Sequence, residues 1–399
     1  MYTSGLRLLF SFRPAIRSKS RSQSVSPKRI CFVSNNVYVA LAETSVPLMG
    51  GAELQQSIIG RCLQQNGHDV SFATTVFDGR RDDEVIDGMK VFKTFDLDDG
   101  LPGLRSLHPR LTGLWQAMRK ADADIYYQRC AGRSTGICAM FCRRYGKKFV
   151  YSGAHDSDFY PVPEIDIRER YLYQWGLRHA DFVLVQTEKQ KALLKHNYGL
   201  SGNVLPNVYP SRKLTRAEGY VLWVGNMRLF KRPLLCLDIA RCFPDQRFVI
   251  VGGISNGCPE LYRQLQSHSL PNVEFLGFQP LETTERLFDG ASLLLNTSTV
   301  EGFPNTYLQA WSRGIPTVGT YDPDKIIERY DLGRVFSKTS DLGDWFRGLV
   351  NSCDDDRKRI QQCFEKHFSP QRYVDGMISL LDPLVEPSVA ACPQGVTCD

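Results

Sequence analysis

The segment EGFPNTYLQAWSRG carries two polar side chains whose types and spacing suit the binding of hydroxyl groups. Glu301 follows the apolar run ASLLLNTST, so we expect its carboxylate at the end of a buried strand, where it can accept two hydroxyl hydrogen bonds. Gln309 lies on the same side of the helix that should follow, and its amide can both donate and accept. This pattern predicts a site for a polyol.

The residues between these two side chains indicate an anion as well. Gly302 and Pro304 let the backbone approach a ligand, and Asn305 or Thr306 can cap the helix. Backbone N–H groups and the dipole at a helix start favour a phosphate. A sugar nucleotide has hydroxyl groups, a diphosphate and a ribose, and it fits this chemistry. A capped helix with a solvent-exposed glutamate is the alternative.

A second segment, VGNMRLFKRP, places two cations beyond the end of another predicted strand. Arg228 offers a planar fork of donors and Lys231 a point charge, a combination that suits a diphosphate. A basic surface loop is the alternative interpretation.

Together, EGFPNTYLQAWSRGIPTVGT and VGNMRLFKRP resemble the family 4 (group 1) retaining glycosyltransferases of the GT-B fold. The resemblance spans roughly residues 30–380. The hallmark of the family is a glutamate, seven residues and a second glutamate, which falls on Glu301 and Gln309. The resemblance implies that Glu301 is catalytic and holds the donor-sugar hydroxyls, and that Gln309 contacts the ribose without a charge.

The same resemblance assigns the rest of the donor site in the second half of the chain. Lys231 is the counterpart of the phosphate-binding lysine. The usual arginine directly after the glycine is Asn226 here, so Arg228 is expected to take its role. The donor-binding set also includes three residues of the first segment: Phe303, Pro304 and Asn305.

Two segments of the first half complete the expected site. MGGAELQ resembles the glycine-rich loop of the family, in which the N–H groups of Gly50 and Gly51 would approach the diphosphate. SGAHDSD resembles the segment that carries a histidine beside the donor sugar, and His155 is the second catalytic candidate. Asp156 and Asp158 could instead contact the acceptor.

The surrounding chain alternates between buried strands and helices, which is typical of parallel α/β sheets. RICFVSNN, HDVSFATT, KFVYSG and DFVLVQT read as strands of one sheet, and GGAELQQSIIGRCLQQNG as a helix. After a stretch rich in proline, asparagine and charge near 205–218, the alternation starts again with YVLWVGN and RFVIVGG. We therefore predict an α/β protein with a GT-B-like architecture: two doubly wound Rossmann-type domains facing each other across a cleft.

The predicted boundaries divide the chain into five segments. An N-terminal acceptor-side domain and a C-terminal nucleotide-sugar-binding domain are followed by a helix that could cross back to the first domain. The two ends of the chain read as disordered tails, the first basic and rich in Ser and Arg. A transit peptide and a misassigned start codon are alternatives for that first segment. The segments are, in order, 1–28, 29–208, 209–368, 369–386 and 387–399.

Charge argues against a nucleic-acid-binding protein. The net charge is +6, but seven basic residues and no acid lie in residues 1–29, so the remainder is close to neutral. The chain has no apolar run of the roughly 18–20 residues that would span a bilayer. A basic amphipathic stripe from Leu104 to Met118 most simply faces the core, although peripheral contact with an anionic membrane stays open. We expect a cytoplasmic protein, with or without contact at the inner face of the membrane.

No cofactor and no metal are expected. The twelve cysteines form no CxxC pair, and several lie in apolar runs, which favours buried free thiols. Asp-x-Asp triplets, for example at 122–124, 156–158 and 322–324, occur without the context of a metal-dependent transferase, and neither a Walker A loop nor a dinucleotide fingerprint is present.

The expected activity is transfer of a hexose from a nucleoside diphosphate sugar to a glycan or lipid-linked acceptor. Two alternatives stay open at this point. A sugar-nucleotide 2-epimerase of the same fold would need no acceptor. A binding protein without catalysis is the other, with Gln309 as the mark of a lost activity.

Overall fold

The computed structural model describes residues 26–42, 50–77, 79, 81–96, 98–101, 105–161, 166–254 and 258–381. The predicted tails, 1–28 and 387–399, lie outside these residues except for 26–28.

The first half is an eight-stranded sheet with helices on both faces, in the order β3-β4-β2-β1-β5-β6-β7-β8. All neighbouring pairs are parallel except the antiparallel pair β3-β4. The strands are β1 (Arg29–Val33), β2 (Asp69–Thr74), β3 (Glu84–Ile86), β4 (Met89–Lys93), β5 (Ile125–Arg129), β6 (Lys148–Ser152), β7 (Phe182–Val185) and β8 (Asn203–Val204). The helices are α1 (Val37–Leu41), α2 (Gly51–Gln65), α3 (Thr112–Ala121), α4 (Arg133–Tyr145), α5 (Ile167–Arg178) and α6 (Glu188–Tyr198).

The second half is a six-stranded, fully parallel sheet in the order β11-β10-β9-β12-β13-β14. Its strands are β9 (Tyr220–Val224), β10 (Arg247–Val251), β11 (Val273–Gly277), β12 (Ala291–Asn296), β13 (Thr317–Gly319) and β14 (Gly333–Val335). Its helices are α7 (Pro233–Cys242), α8 (Pro259–Gln266), α9 (Leu281–Gly290), α10 (Asn305–Trp311), α11 (Ile326–Arg329), α12 (Asp344–Val350), α13 (Asp354–Phe368) and α14 (Pro370–Leu381). The predicted pair of doubly wound α/β units is confirmed.

Central strands are apolar on both faces because helices cover both sides of each sheet. Every residue of β12 is buried, which explains why its sequence, ASLLLN, is a nearly continuous apolar run rather than an alternating pattern. The carboxyl ends of the central strands in both sheets face the region between the halves, the usual place for ligands in this architecture.

The last helix links the two halves. α14 packs against α2 of the first sheet, and Tyr373 of α14 hydrogen-bonds Tyr127 of β5. One apolar cluster accordingly contains residues of both halves, including Ile58 from α2 and Met377 from α14. The hydrophobic effect therefore opposes separation of the halves at this side of the molecule.

The segment between the two sheets has no helix or strand from residue 205 to 219, yet its first part is fixed in place. Asn207, Val208 and Tyr209 are buried, and the Gln55 side chain donates to the Val208 carbonyl at 2.7 Å and accepts from the Val208 N–H at 3.0 Å. The segment is thus anchored to α2 where it leaves the first half.

The amphipathic stripe predicted from Leu104 to Met118 faces the core in α3. Leu114 and Met118 are buried there, whereas Leu107 is exposed in a preceding π-helix, Ser106–Leu111, and Leu104 lies outside the described residues. None of the helices that the structure describes is both long and apolar enough to span a membrane.

Candidate active site between the two halves

A cavity of about 690 Å³ lies between the two halves of the chain. Its lining contains all ten site residues predicted from the sequence, which come from segments up to 259 residues apart. They are Gly50, Gly51, His155, Arg228, Lys231, Glu301, Phe303, Pro304, Asn305 and Gln309. The structure thus brings all of them to one place.

Glu301 is nearly buried, at 7% exposure, in the loop between β12 and α10. Its Oε1 accepts a hydrogen bond from Ser298 Oγ at 2.6 Å and forms an ion pair with Lys231 Nζ. A buried carboxylate needs such partners because an isolated charge away from water is costly. The two residues assigned to the sugar and to the diphosphate are therefore paired with each other in the unliganded chain.

The cationic loop follows β9 and contains a short 3-10 helix, Leu229–Lys231, which begins after Arg228. The Lys231 carbonyl accepts from Thr297 Oγ1 at 2.6 Å, so the loop is fixed to the end of β12. Both cations lie near the ring of Phe230, 5.9 Å away for Arg228 and 5.7 Å for Lys231. Both positive charges thus lie at the wall of the cavity.

Gln309 is 5% exposed, and its side chain is hydrogen-bonded to a neighbouring helix. Its side-chain Nε2 donates to Glu285 Oε1 of α9 at 2.7 Å. The second oxygen of Glu285 accepts from Arg313 at 2.7 Å and from Arg212 at 3.1 Å. A buried carboxylate therefore lies directly beside the position where the family pattern has its second glutamate.

Glu285 remains ionised in this cluster. Burial alone would raise its pKa, but the positive charges of Arg313 and Arg212 outweigh burial and lower the pKa below the usual value. The arginines thus stabilise a negative charge that the cavity would otherwise not tolerate.

The prediction that the Asn305 side chain caps the helix is wrong. α10 begins at Asn305 without a side-chain cap, and the Asn305 amide instead reaches the first half of the chain. Its Nδ2 donates to the Gly51 carbonyl at 2.8 Å, and its Oδ1 accepts from Asn207 at 2.8 Å. Asn305 therefore bonds Gly51 and Asn207, which are distant in sequence, instead of the backbone at the start of its own helix.

The glycine-rich loop is only partly as predicted. The Gly50 N–H already donates to Glu53 Oε2 at 3.1 Å, which closes the start of α2. A Cβ at Gly51 would lie 2.8 Å from the Asn305 amide nitrogen, so this glycine is needed for the close approach of the two halves. The Gly50 N–H group was expected to face a diphosphate, but it donates to the Glu53 carboxylate instead.

His155 is held in one orientation by its neighbours. Its Nδ1 accepts from the Ser157 N–H at 3.1 Å, which places the proton of the neutral ring on Nε2. Nε2 is buried and has no hydrogen-bond partner among the described residues, and the ring lies 5.7 Å from that of Phe230 in the other half. A buried donor without a partner at the cavity wall is a candidate for binding a ligand oxygen.

The alternative that Asp156 and Asp158 contact an acceptor is wrong for this structure. Asp156 is completely buried and pairs with Lys189 at 2.6 Å, and Asp158 accepts from the N–H of Ala154 at 2.6 Å. Asp158 holds the turn after β6, whereas Asp156 is bonded to Lys189 and Gln190 of α6. Neither lines the cavity.

Gly302 of the second half lies against residues of the first half. A Cβ there would lie 2.6 Å from Gln186 Oε1 and 2.7 Å from the Ala154 carbonyl. Gln186 in turn accepts from the Phe303 N–H, and Asn207 donates to the Phe303 carbonyl at 2.9 Å. The close approach of the other half of the chain therefore requires glycine at this position.

Sequence reasoning missed the buried partners of the site. Glu285, Arg212 and Arg129 line the cavity, but they come from segments read as an ordinary helix, a linker and a strand. Glu285 could have been suspected from Gln309. Where the family pattern lacks its second glutamate, a carboxylate on a neighbouring element can supply the missing charge. The ten cysteines of the described residues are free, and those residues contain no cluster of three metal-binding side chains.

Comparisons with known proteins match both halves. Residues 218–350 match the family model described as glycosyl transferases group 1, and residues 49–210 match that described as glycosyltransferase family 4. The matched ranges cover most of the chain and include nearly all of the cavity lining.

Individual relatives are distant. An uncharacterized glycosyltransferase of Methanocaldococcus jannaschii is 24% identical over 172 residues, which are 37% of this chain and 41% of that protein. A phosphatidylinositol N-acetylglucosaminyltransferase subunit of Arabidopsis thaliana is 24% identical over 297 residues, 69% of this chain and 65% of that protein. The chain thus spans less than two thirds of the length of either relative.

The fold is that of GT-B glycosyltransferases. The solved sucrose-phosphate synthase of Thermosynechococcus elongatus superimposes with a TM-score of 0.71 at 14% identity, covering 89% of this chain and 98% of that one. At this identity the likeness concerns the fold alone.

Proposed function

We propose that this chain, which belongs to the group 1 (family 4) glycosyltransferases, transfers a hexose from a nucleoside diphosphate sugar to a glycan or lipid-linked acceptor. One observation carries this proposal: ten residues chosen from the sequence line one cavity between the halves. Its volume of about 690 Å³ suits a small organic ligand, since such sites measure roughly 300–1,000 Å³. As the family resemblance implies, transfer retains the anomeric configuration and needs no metal ion.

Lys231 and Arg228 bind the diphosphate and stabilise the negative charge that grows on it as the sugar leaves. In the unliganded chain Lys231 is paired with Glu301. An ammonium group has three donors, so Lys231 can keep this contact while it binds a phosphate oxygen. Glu301 then orients the sugar hydroxyls, and the Nε2–H of His155 donates to the sugar from the other half.

The acceptor enters from the first half. A second cavity of about 470 Å³ adjoins the first and shares Glu53, Arg129 and Cys130 with it. It lies at the carboxyl ends of β1 and β5, so an acceptor held there faces the donor cavity. The Arabidopsis relative is named as part of a phosphatidylinositol N-acetylglucosaminyltransferase, which supports including a lipid among the acceptors. We place the reaction in the cytoplasm, with or without contact at the inner face of the membrane.

The decisive experiment is a thermal-shift screen with UDP, GDP, ADP and TDP sugars, including UDP-N-acetylglucosamine. A ligand present at 100 times its dissociation constant should stabilise the folded chain by about 2.7 kcal/mol. The matching nucleoside monophosphate and the free sugar serve as controls and should give smaller shifts, because neither engages both Lys231 and Glu301. If no nucleotide sugar raises the melting temperature, the cavity is not a donor site.

Replacement of Lys231 by alanine should weaken binding of the best nucleotide sugar by roughly 1.5–3 kcal/mol, the range for hydrogen bonds to charged groups. The loss should be the same for the free diphosphate, because the contact is with phosphate rather than sugar. Isothermal titration of both ligands measures it.

Lys338→Ala removes an exposed lysine from the same half, away from the cavity, and controls for net charge. Parental affinity in Lys231→Ala would place the diphosphate elsewhere.

A further inference from the structure

The amide of Gln309 has a defined orientation. The Glu285 carboxylate can only accept hydrogen bonds, so it binds the NH2 group of Gln309 and not the amide oxygen. The Gln309 Nε2 lies 2.7 Å from Glu285 Oε1, so the amide oxygen is turned away from that carboxylate. Among the residues that the structure describes, none donates a hydrogen bond to this oxygen, and Gln309 lines the donor cavity. The glutamine therefore offers the cavity an acceptor, as a glutamate at this position would.

The negative charge expected at 309 is present on the neighbouring helix. Glu285 is buried at 2% exposure, lines the same cavity and is ionised between Arg313 and Arg212. A single glutamate at position 309 would supply both a negative charge and an acceptor. Here Glu285 of α9 supplies the charge and Gln309 of α10 supplies the acceptor.

We propose that Glu285 is the positioning residue of the nucleoside subsite, holding Gln309 so that its amide oxygen accepts a ribose hydroxyl of a ribonucleoside diphosphate. This inference rests on the proposed function and adds a residue to it. Without Glu285 the amide can rotate and turn its NH2 group toward the ribose, which then meets a donor instead of an acceptor.

A glutamate at 309 would not improve this chain. Its carboxylate would lie within hydrogen-bond distance of the buried Glu285 carboxylate, and two such groups cannot both stay ionised at close range. One would take up a proton or move away from the cavity. If position 309 carries a glutamate, the pair keeps one carboxylate and one amide only when position 285 carries a glutamine.

The test uses the full chain and four variants: E285Q, Q309E, the exchange E285Q/Q309E, and Q309M. The probes are the nucleoside diphosphate that the parent binds best among UDP, GDP and ADP, and its 2′,3′-dideoxy counterpart. The quantity measured is the ratio of the two dissociation constants, because a lost ribose contact changes this ratio while a general loss of stability weakens both ligands alike.

The parent should prefer the ribonucleotide by about tenfold, the value of one hydrogen bond of about 1.4 kcal/mol. The ratio should fall close to one in E285Q and in Q309M, Q309E should bind the ribonucleotide less tightly than the parent, and the exchange variant should regain the preference. Asp289→Asn is the matched control, since Asp289 also binds Arg313, at 2.6 Å, but does not line the cavity. It should lower the melting temperature and leave the ratio unchanged.

An unchanged ratio in E285Q, or parental affinity in Q309E, overturns the inference while the donor site stands. Should E285Q fail to fold, Q309M carries the test, because it leaves Glu285 and its arginines intact, and an unchanged ratio there overturns the inference too. A parent chain that binds none of the three diphosphates overturns both the inference and the proposed function.

Discussion

Glu301→Gln should lower the rate of sugar transfer by about a hundredfold or more, the scale of loss when a reacting group is no longer oriented. The amide has the shape of the carboxylate and keeps an acceptor for Ser298 Oγ, which lies 2.6 Å from the native carboxylate, so the fold should be retained. The charge that pairs with Lys231 is lost. Affinity for the free nucleoside diphosphate should nevertheless stay close to that of the parent, because Lys231 can bind phosphate with or without its contact to Glu301.

Three measurements on one variant distinguish the possibilities: melting temperature, nucleotide affinity and transfer rate. Glu274→Gln, which removes an exposed carboxylate paired with Arg247 outside the cavity, should leave all three near parental values. A Glu301→Gln variant that transfers sugar at the parental rate would mean that Glu301 is only a structural carboxylate beside a helix.

Arg313→Leu should reduce the free energy of unfolding by about 3–5 kcal/mol, the cost of removing one partner from a buried ion pair. The Arg313 side chain is 1% exposed and bonds Glu285, Asp289 and the Gln309 carbonyl. Leucine fills part of the space but leaves Glu285 with only Arg212 as a charged partner. Chemical denaturation followed by circular dichroism measures the loss.

Arg286→Leu is the control on the same helix as Glu285. Arg286 is 72% exposed in its side chain and forms a surface pair with Glu282. Its loss should cost less than about 1 kcal/mol, because exposed ion pairs are screened by water. Equal effects of the two substitutions would show that the buried cluster contributes no more than a surface contact.

The sequence was sufficient for the fold and for ten of the residues that line the cavity. Both follow from local patterns: apolar runs such as those around β1 and β12 mark central parallel strands, and ligand residues gather after their carboxyl ends. Glu301, Lys231 and His155 each follow such a strand, and the resemblance of their segments to one family indicated that they belong to a single site.

The partners of these residues could not be predicted, because they depend on packing between distant segments. Gln309 meets Glu285 only because α9 and α10 lie side by side, and Asn305 meets Gly51 only because the halves close on each other. Local rules assigned Asn305 to a helix cap, and tertiary contacts override such preferences when they satisfy more polar groups.

The close contact at Gly302 has a consequence for engineering. An exchange of the first half for that of another protein would be joined between the two sheets, within residues 205–219. A foreign first half would have to present a carbonyl and an amide in the places of Ala154 and Gln186, with no side chain intruding on the space beside Gly302. Compatibility of exchanged halves thus depends in part on two oxygen atoms, the Ala154 carbonyl and the Gln186 side-chain Oε1, that lie against Gly302.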